Sequence, residues 1–127
     1  MSHFTTLKTQ LVALQYLKKA LQDLNMRYEE GHVEIRGYGG NRMRVEVKVP
    51  TRNAGYDMGF RKQGQAYELV ADWFGIRDIN PQDFLQRLTQ RYAYHVTKDQ
   101  LEQQDFTLVE EKVEQDRTIH ITVRRMV

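Results

Sequence analysis

Three carboxylates, Asp57, Glu68 and Asp72, fall close together in a stretch otherwise rich in apolar residues. Two such groups held side by side can do general acid–base chemistry, because a charged neighbour or an apolar setting pushes one of them towards neutral pH. Asp72 is the most pointed of the three. It lies in Tyr67-Glu-Leu-Val-Ala-Asp-Trp-Phe-Gly-Ile76, a run that carries the only tryptophan, Trp73, and is expected to enter the core whole. A buried acid must be hydrogen-bonded, ion-paired or turned to an edge. A small enzyme or ligand carrier would place a pocket beside Asp72 and Trp73. The favoured reading makes Asp72 structural, salt-bridged to an arginine such as Arg77 and holding the turn that delivers Trp73 to the core. Glu68 and Asp72 share one strand face with Val70, and the chain offers arginines as partners, so ion pairing is expected rather than a carboxylate pair.

The other residues that could carry chemistry argue against an enzyme. There is no cysteine, which removes disulfides, thiolate metal sites, iron–sulfur ligation and a cysteine nucleophile together, and fits a reducing compartment. Ser2 is the only serine and sits at the extreme N-terminus, a poor place for a hydrolase nucleophile. His3, His32, His95 and His120 are scattered, with no pair at ligand spacing beside a carboxylate, so no metal site is expected. Gly37-Tyr-Gly-Gly-Asn-Arg42 has the composition of a phosphate-cradling loop. Such loops open a helix, whereas here a strand pattern follows and no Gly-Lys-Ser/Thr appears. A tight turn with positive-φ residues is the better reading. No cofactor is implied.

Charge is distributed more informatively than its net value of +2 suggests. Between Glu34 and Lys62 seven bases stand against three acids, and between Lys98 and Asp116 two lysines stand against seven acids. Such runs are solvated surface in most proteins, and the two regions can simply face one another. A polarised surface also suits an oriented protein partner, docked on Arg36, Arg42, Arg44, Arg52, Arg61 and Lys62. The same middle region interleaves Arg36, Arg42 and Arg44 with Tyr38, Tyr56 and Phe60. Single-stranded RNA is bound by exposed rings beside basic groups, which makes an RNA-binding protein the alternative. No Lys/Arg-Gly-Phe-x-Phe pattern accompanies them, and aromatics on strands belong to the core more often than not, so nucleic acid is the weaker reading.

These residues need elements to position them. Ser2 to Lys8 reads as a first strand. Thr9 is a candidate N-cap for a helix to Leu24, with Leu11, Leu14, Leu17, Leu21 and Leu24 as its apolar stripe and Asn25 as its stop. Arg27–Glu30 and Val33–Arg36 read as a hairpin about Gly31-His32. Met43–Val49 alternates apolar and charged residues, a half-buried strand, and Tyr56–Phe60 gives another. Gly64 leads into the tryptophan strand, which Gly75 ends. Asn80-Pro81-Gln82-Asp83 starts a second helix by cap, proline and acid together. Phe84, Leu85, Leu88 and Tyr92 mark its buried face. From Tyr94 to Gln104 the pattern also suits a strand or a new helix capped at Thr97, and continuation of the helix is favoured. Phe106–Glu114 and Thr118–Arg125 form a last hairpin. A faint echo between Lys18–Tyr28 and Lys98–Leu108 leaves a duplicated, pseudosymmetric arrangement open.

At 127 residues, 40% hydrophobic and 28% charged, the chain fits one globular α+β domain over residues 1–127. The expected fold is a mostly antiparallel sheet with two amphipathic helices packed on one face. No segment approaches the ~20 apolar residues of a membrane span, and the first residues lack a secretory or transit layout. Three segments, Met1-Ser-His-Phe-Thr-Thr-Leu-Lys-Thr9, Tyr67–Gly75 and Gln90-Arg-Tyr-Ala-Tyr-His95, carry a family resemblance, and Met58-Gly-Phe60 and Val123-Arg-Arg125 agree with it. The chain resembles, over nearly its whole length, the small proteins of cyanobacteria and red-algal plastids described as a hypothetical chloroplast reading frame or a domain of unknown function. Asp105 departs from the glycine expected there, which touches a turn and no function. The resemblance implies a place in the cyanobacterial cytoplasm or plastid stroma, near photosynthesis, and an accessory or adaptor role beside AAA-type ATPases. It carries over no catalytic residue.

Overall fold

The computed structural model describes residues 3–104, together with the backbone of 106–113 and 119–125. Four antiparallel pairings join five strands, β1 (Thr5–Lys8), β2 (Glu29–Arg36), β3 (Arg42–Pro50), β4 (Asp57–Gln63) and β5 (Ala66–Ala71), into one sheet in the order β1-β5-β4-β3-β2. Helices α1 (Leu14–Asp23) and α2 (Pro81–Gln103) pack together on one face of it. The fold is the expected α+β arrangement. A separate antiparallel pair, β6 (Phe106–Val113) and β7 (Ile119–Arg125), follows α2 and repeats the helix–strand–strand order of α1, β2 and β3. The turn at Asp105, the side chains of the last hairpin and most of the acidic run to Asp116 lie outside the described residues.

The helix-face core is built by Leu17, Ala20 and Leu21 of α1 and Phe84 and Leu88 of α2 against Val47, Val49, Met58, Phe60 and Leu69. The leucine stripe is therefore real, but α1 begins a turn later than Thr9 suggests. The Thr9 hydroxyl accepts the Leu11 N–H and donates to the Tyr67 carbonyl, while Tyr67 N–H returns a bond to the Leu11 carbonyl. Thr9 is committed to an extended link along β5, so Leu11 reaches the core from outside the helix. The amides of Val12 and Ala13 are taken by the Tyr92 hydroxyl of α2 in place of an N-cap side chain. At the other end Asn25 adopts φ 57°, and Met26 N–H bonds back to the Leu21 carbonyl, the wrapped helix ending that a left-handed asparagine permits.

Gly31-His32 does not turn the chain. β2 runs through it as one strand with a bulge between Glu30 and Val33. The hairpin to β3 closes instead at Tyr38–Gly40, where Gly39 and Gly40 take positive φ and Gly37 N–H bonds to the Asn41 carbonyl. The pairing partner, β3, is long enough to hold all of β2, and that favours a bulge over a second turn.

The distal halves of β2 and β3 form an arm that leans over the second face of β4 and β5. Ile35, Val45 and Val70 make a small buried cluster there, with Phe4, Val33 and Met43 against it. Gly59 pairs with Lys48 and Val70 in the ladders, yet a Cβ on it would stand 2.8 Å from Ile35 Cγ2 and 2.9 Å from Val45 Cγ1. Glycine leaves room here for the Ile35 and Val45 side chains, which press directly on the β4 backbone.

The tryptophan segment departs from expectation. β5 ends at Ala71, and Trp73–Gly75 is a single 3₁₀ turn. Asp72 is buried, Trp73 is half-buried against the helix-face core, and Phe74 points out to solvent. Gly75 lies against the Tyr56 ring so closely that a Cβ would overlap it, which explains why a glycine stands here. α2 starts as expected, with Asn80 Oδ1 accepting Asp83 N–H at 2.9 Å, and it continues unbroken through the ambiguous stretch, burying Tyr94. Gly59→Ala is expected to destabilise the fold by about 1–3 kcal/mol through overpacking. A urea midpoint equal to that of wild type would show that the arm does not press on β4.

Candidate functional site

Each of the three carboxylates has its own structural partners, although the register that pairs Met58 with Ala71 makes Asp57 and Asp72 neighbours across β4 and β5. Asp57 is fully buried and receives three bonds from Arg36, the main-chain N–H and Nε on Oδ2 at 2.8 and 2.9 Å and Nη2 on Oδ1 at 3.1 Å. Lys48 Nζ stands 3.9 Å away. The hydrogen bond and charge of Asp57 push the Arg36 guanidinium further up from its ordinary value. Glu68 pairs with Arg61 at 3.2 Å, and Arg61 also reaches Met43 Sδ on the arm. Asp72 accepts the main-chain N–H groups of Tyr38 at 3.0 Å and Phe74 at 3.3 Å. These amide donors replace the expected Arg77, whose own N–H goes to Asn53 Oδ1. The space beside Asp72 is packed rather than open, for a Cβ on Gly37 would lie 3.1 Å from Asp72 Cβ and 3.0 Å from the Phe4 ring. A turn residue is locked over the end of β5; the pocket postulated at Asp72 and Trp73 has no room on this side.

The six basic residues of the middle region divide into three groups. Arg36 and Arg61 are spent on Asp57 and Glu68. Lys62 donates to the Val12 carbonyl at 3.1 Å and lies 5.0 Å from the centre of the Tyr67 ring, tying β4 to the approach to α1. Arg42 and Arg44 stand exposed on the arm, Arg42 opposite Arg36 and Arg44 opposite Glu34 in the ladder. Neither forms an ion pair among the described residues. Beside them, at the tip, Tyr38 and Phe74 make an edge-on aromatic pair with centroids 6.1 Å apart, and both are exposed, 46% and 67%. Of the rings considered as a base-stacking platform only Tyr38 is exposed. Phe60 is fully buried and Tyr56 packs on Gly75.

Arg52 belongs elsewhere. It lies in the β3–β4 loop and lines a cleft with Arg27 and Arg87, two residues that sequence reasoning passed over. The helix stop at Asn25 and the start at Asn80 mark both as neighbours of helix ends, but no local pattern announces that those ends meet. Among the histidines, His3 and His32 are exposed, and His120 lies outside the described side chains. His95 Nε2 and Arg91 Nε both approach Asp23 Oδ2, at 2.6 and 2.8 Å, and so bind α2 to the end of α1. No group of three or more His, Cys, Asp or Glu that could hold a metal occurs among the described residues. No described helix is long and apolar enough to cross a membrane.

An antiparallel sheet with paired helices, and no assembled catalytic group among the described residues, defines a class by its fold and not by its chemistry. The chain belongs to the family described as protein of unknown function (DUF1257), which matches residues 20–122. It is similar to the uncharacterized protein ycf35 of Cyanophora paradoxa, 33% identical over 126 residues, and to that of Guillardia theta, 35% identical over 126 residues, with 98% of each chain covered in both comparisons. The ycf35 protein of Pyropia yezoensis is 30% identical with the same coverage. The plastid and cyanobacterial family read from the N-terminal, tryptophan and Gln90–His95 segments is thereby confirmed. No solved structure matches the chain.

Asp72→Ala is expected to cost about 1–3 kcal/mol, because the Tyr38 and Phe74 amides lose a buried acceptor. Asp72→Asn, which keeps one carbonyl oxygen, should cost less. Thermal melts of both variants that coincide with wild type would remove the structural role. At Asp23, partial burial favours the neutral acid, but the Arg91 and His95 hydrogen bonds and charges outweigh it and hold the carboxyl below its ordinary 3.8. A depressed folded-state value means stability that is present above the unfolded value and lost as pH falls through the folded one. The stability gap between wild type and Asp23→Asn should thus be no more than about 1 kcal/mol at pH ~5 for a pair open to solvent, and shrink as pH falls below ~4. Denaturant titrations across that range check it; a gap that widens on acidification would contradict it.

Proposed function

We propose that the protein is a non-catalytic accessory protein of the plastid stroma or cyanobacterial cytoplasm that docks an acidic protein partner on the outer side of the β2–β3 arm. The carrying observation is the pair Arg42 and Arg44, exposed and without ion pairs among the described residues, next to the exposed Tyr38–Phe74 rings. Every other arginine of the sheet is bound to a carboxylate, so these two are the ones whose charge is available to a partner. Aromatic residues and arginine are the side chains that anchor protein interfaces, the ring filling a pocket and the planar guanidinium bridging a carboxylate. The arm is held rigidly by Asp57 and Asp72 beneath it, so little order need be lost on docking.

Burial of Phe60 takes away part of the stacking surface that single-stranded RNA would need, which is why an acidic protein surface is the better match. The test is affinity capture from an extract of a photosynthetic cell with wild type, Arg42→Glu/Arg44→Glu, Phe74→Ser and Arg52→Glu as baits. A partner should be retained by wild type and Arg52→Glu, lost at least about tenfold from the other two, and released by added salt. Capture that ignores the arm variants, or no specific capture at all, would defeat the proposal.

A further inference from the structure

Three connections far apart in the chain meet at the end of the molecule opposite the hairpin turn at Tyr38–Gly40 of the long β3 ladder, and between them lies a cleft of about 700 Å³ with a mixed lining, apolar at Leu24, Ile79 and Phe84 and charged at its arginines. The residues after α1 bring Arg27, the β3–β4 loop brings Arg52, and the second turn of α2 brings Arg87. None of the three guanidinium groups has an ion pair or a side-chain hydrogen bond among the described residues. That contrasts with Arg36, Arg61 and Arg91, each seated on a carboxylate. Two carboxylates also line the cleft, and neither is ion-paired with these arginines. Asp78 Oδ1 is taken by Asn53 Nδ2 at 2.7 Å, and Asp83, in the first turn of α2, is engaged as well.

Like charges brought together by three separate elements repel one another and favour an anion between them. Guanidinium groups offer planar, paired donors that match phosphate oxygens, and the cleft volume falls in the range of small-molecule sites. We propose that this cleft binds a small phosphorylated sugar or polyol. Its phosphate lies among Arg27, Arg52 and Arg87. Its hydroxyl groups meet the polar rim, where Asp78 keeps a second oxygen to accept and Asn80, whose Oδ1 caps α2, keeps an amide to donate. A bare polyanion would be repelled by Asp78 and Asp83, whereas a monophosphate carrying hydroxyl groups uses both kinds of residue. The site is separate from the docking arm, and neither proposal depends on the other.

Titration calorimetry on the full chain tests the assignment with ribose 5-phosphate, glycerol 3-phosphate, inorganic phosphate and unphosphorylated ribose as probes. At least one phosphorylated polyol should bind with a dissociation constant below about 1 mM, ahead of inorganic phosphate, while ribose should not bind. Arg52→Gln and Arg87→Gln, both at exposed positions, should each weaken that binding about tenfold or more with unchanged melting, and Lys19→Gln at an exposed position of α1 should leave it intact. The proposal is overturned by failure of both phosphorylated polyols to bind, by inorganic phosphate binding as tightly as they do, or by affinity that survives loss of both Arg52 and Arg87.

Discussion

The buried carboxylate of Asp57 is the constraint on which the rest of the structure turns. A fully buried carboxyl group needs a matched donor set, and Arg36 supplies that set with its backbone and its guanidinium together. Asp57 is the first residue of β4 and Arg36 the last of β2, two strands that are not neighbours in the sheet. Satisfying Asp57 therefore obliges β2 to fold back over β4. The same contact draws the Arg36 side chain away from Arg42, its cross-strand neighbour, and so relieves a like-charge pair in the ladder.

Other features follow from that fold-back. Ile35 and Val45 descend onto Gly59, the one residue type that leaves room for them. The tip of the arm comes to rest on Asp72, which closes it by accepting the Tyr38 amide. Two neighbouring acids, at the start of β4 and just past the end of β5, both answered by donors from the arm, fix its direction, while the small apolar cluster beside them supplies the burial energy. The exposed side of the arm is then a rigid surface carrying Tyr38, Arg42 and Arg44. The helix layer is fastened in a comparable way, by Tyr92 on the start of α1 and by Arg91 and His95 on its last residue, Asp23.

Surface charge in this protein separates into structural and unspent parts, and only geometry tells them apart. Arg36, Arg61 and Lys62 read in the sequence as members of one basic patch with Arg42, Arg44 and Arg52. Three of the six are fasteners. The remaining arginines go to two opposite regions, the arm and the cleft, where Arg52 joins Arg27 and Arg87.

The sequence by itself determined what depends on near neighbours along the chain. The period of its leucines placed α1's buried face, Asn80-Pro81 and Asn25 marked a helix start and a helix stop, alternation exposed β3, and the tryptophan run with its flanking segments was enough for the family. Three of its errors were of one kind. Thr9 would cap a helix if its hydroxyl were free, Gly31-His32 would turn if β3 were shorter, and Asp72 would seek Arg77 if no amides were closer; in each case a partner distant in sequence took the group first. Tertiary structure alone decided those allocations, and with them the candidate sites, because a hydrogen-bonding group or a charge has few partners to spend and the nearest in space is not the nearest in the chain.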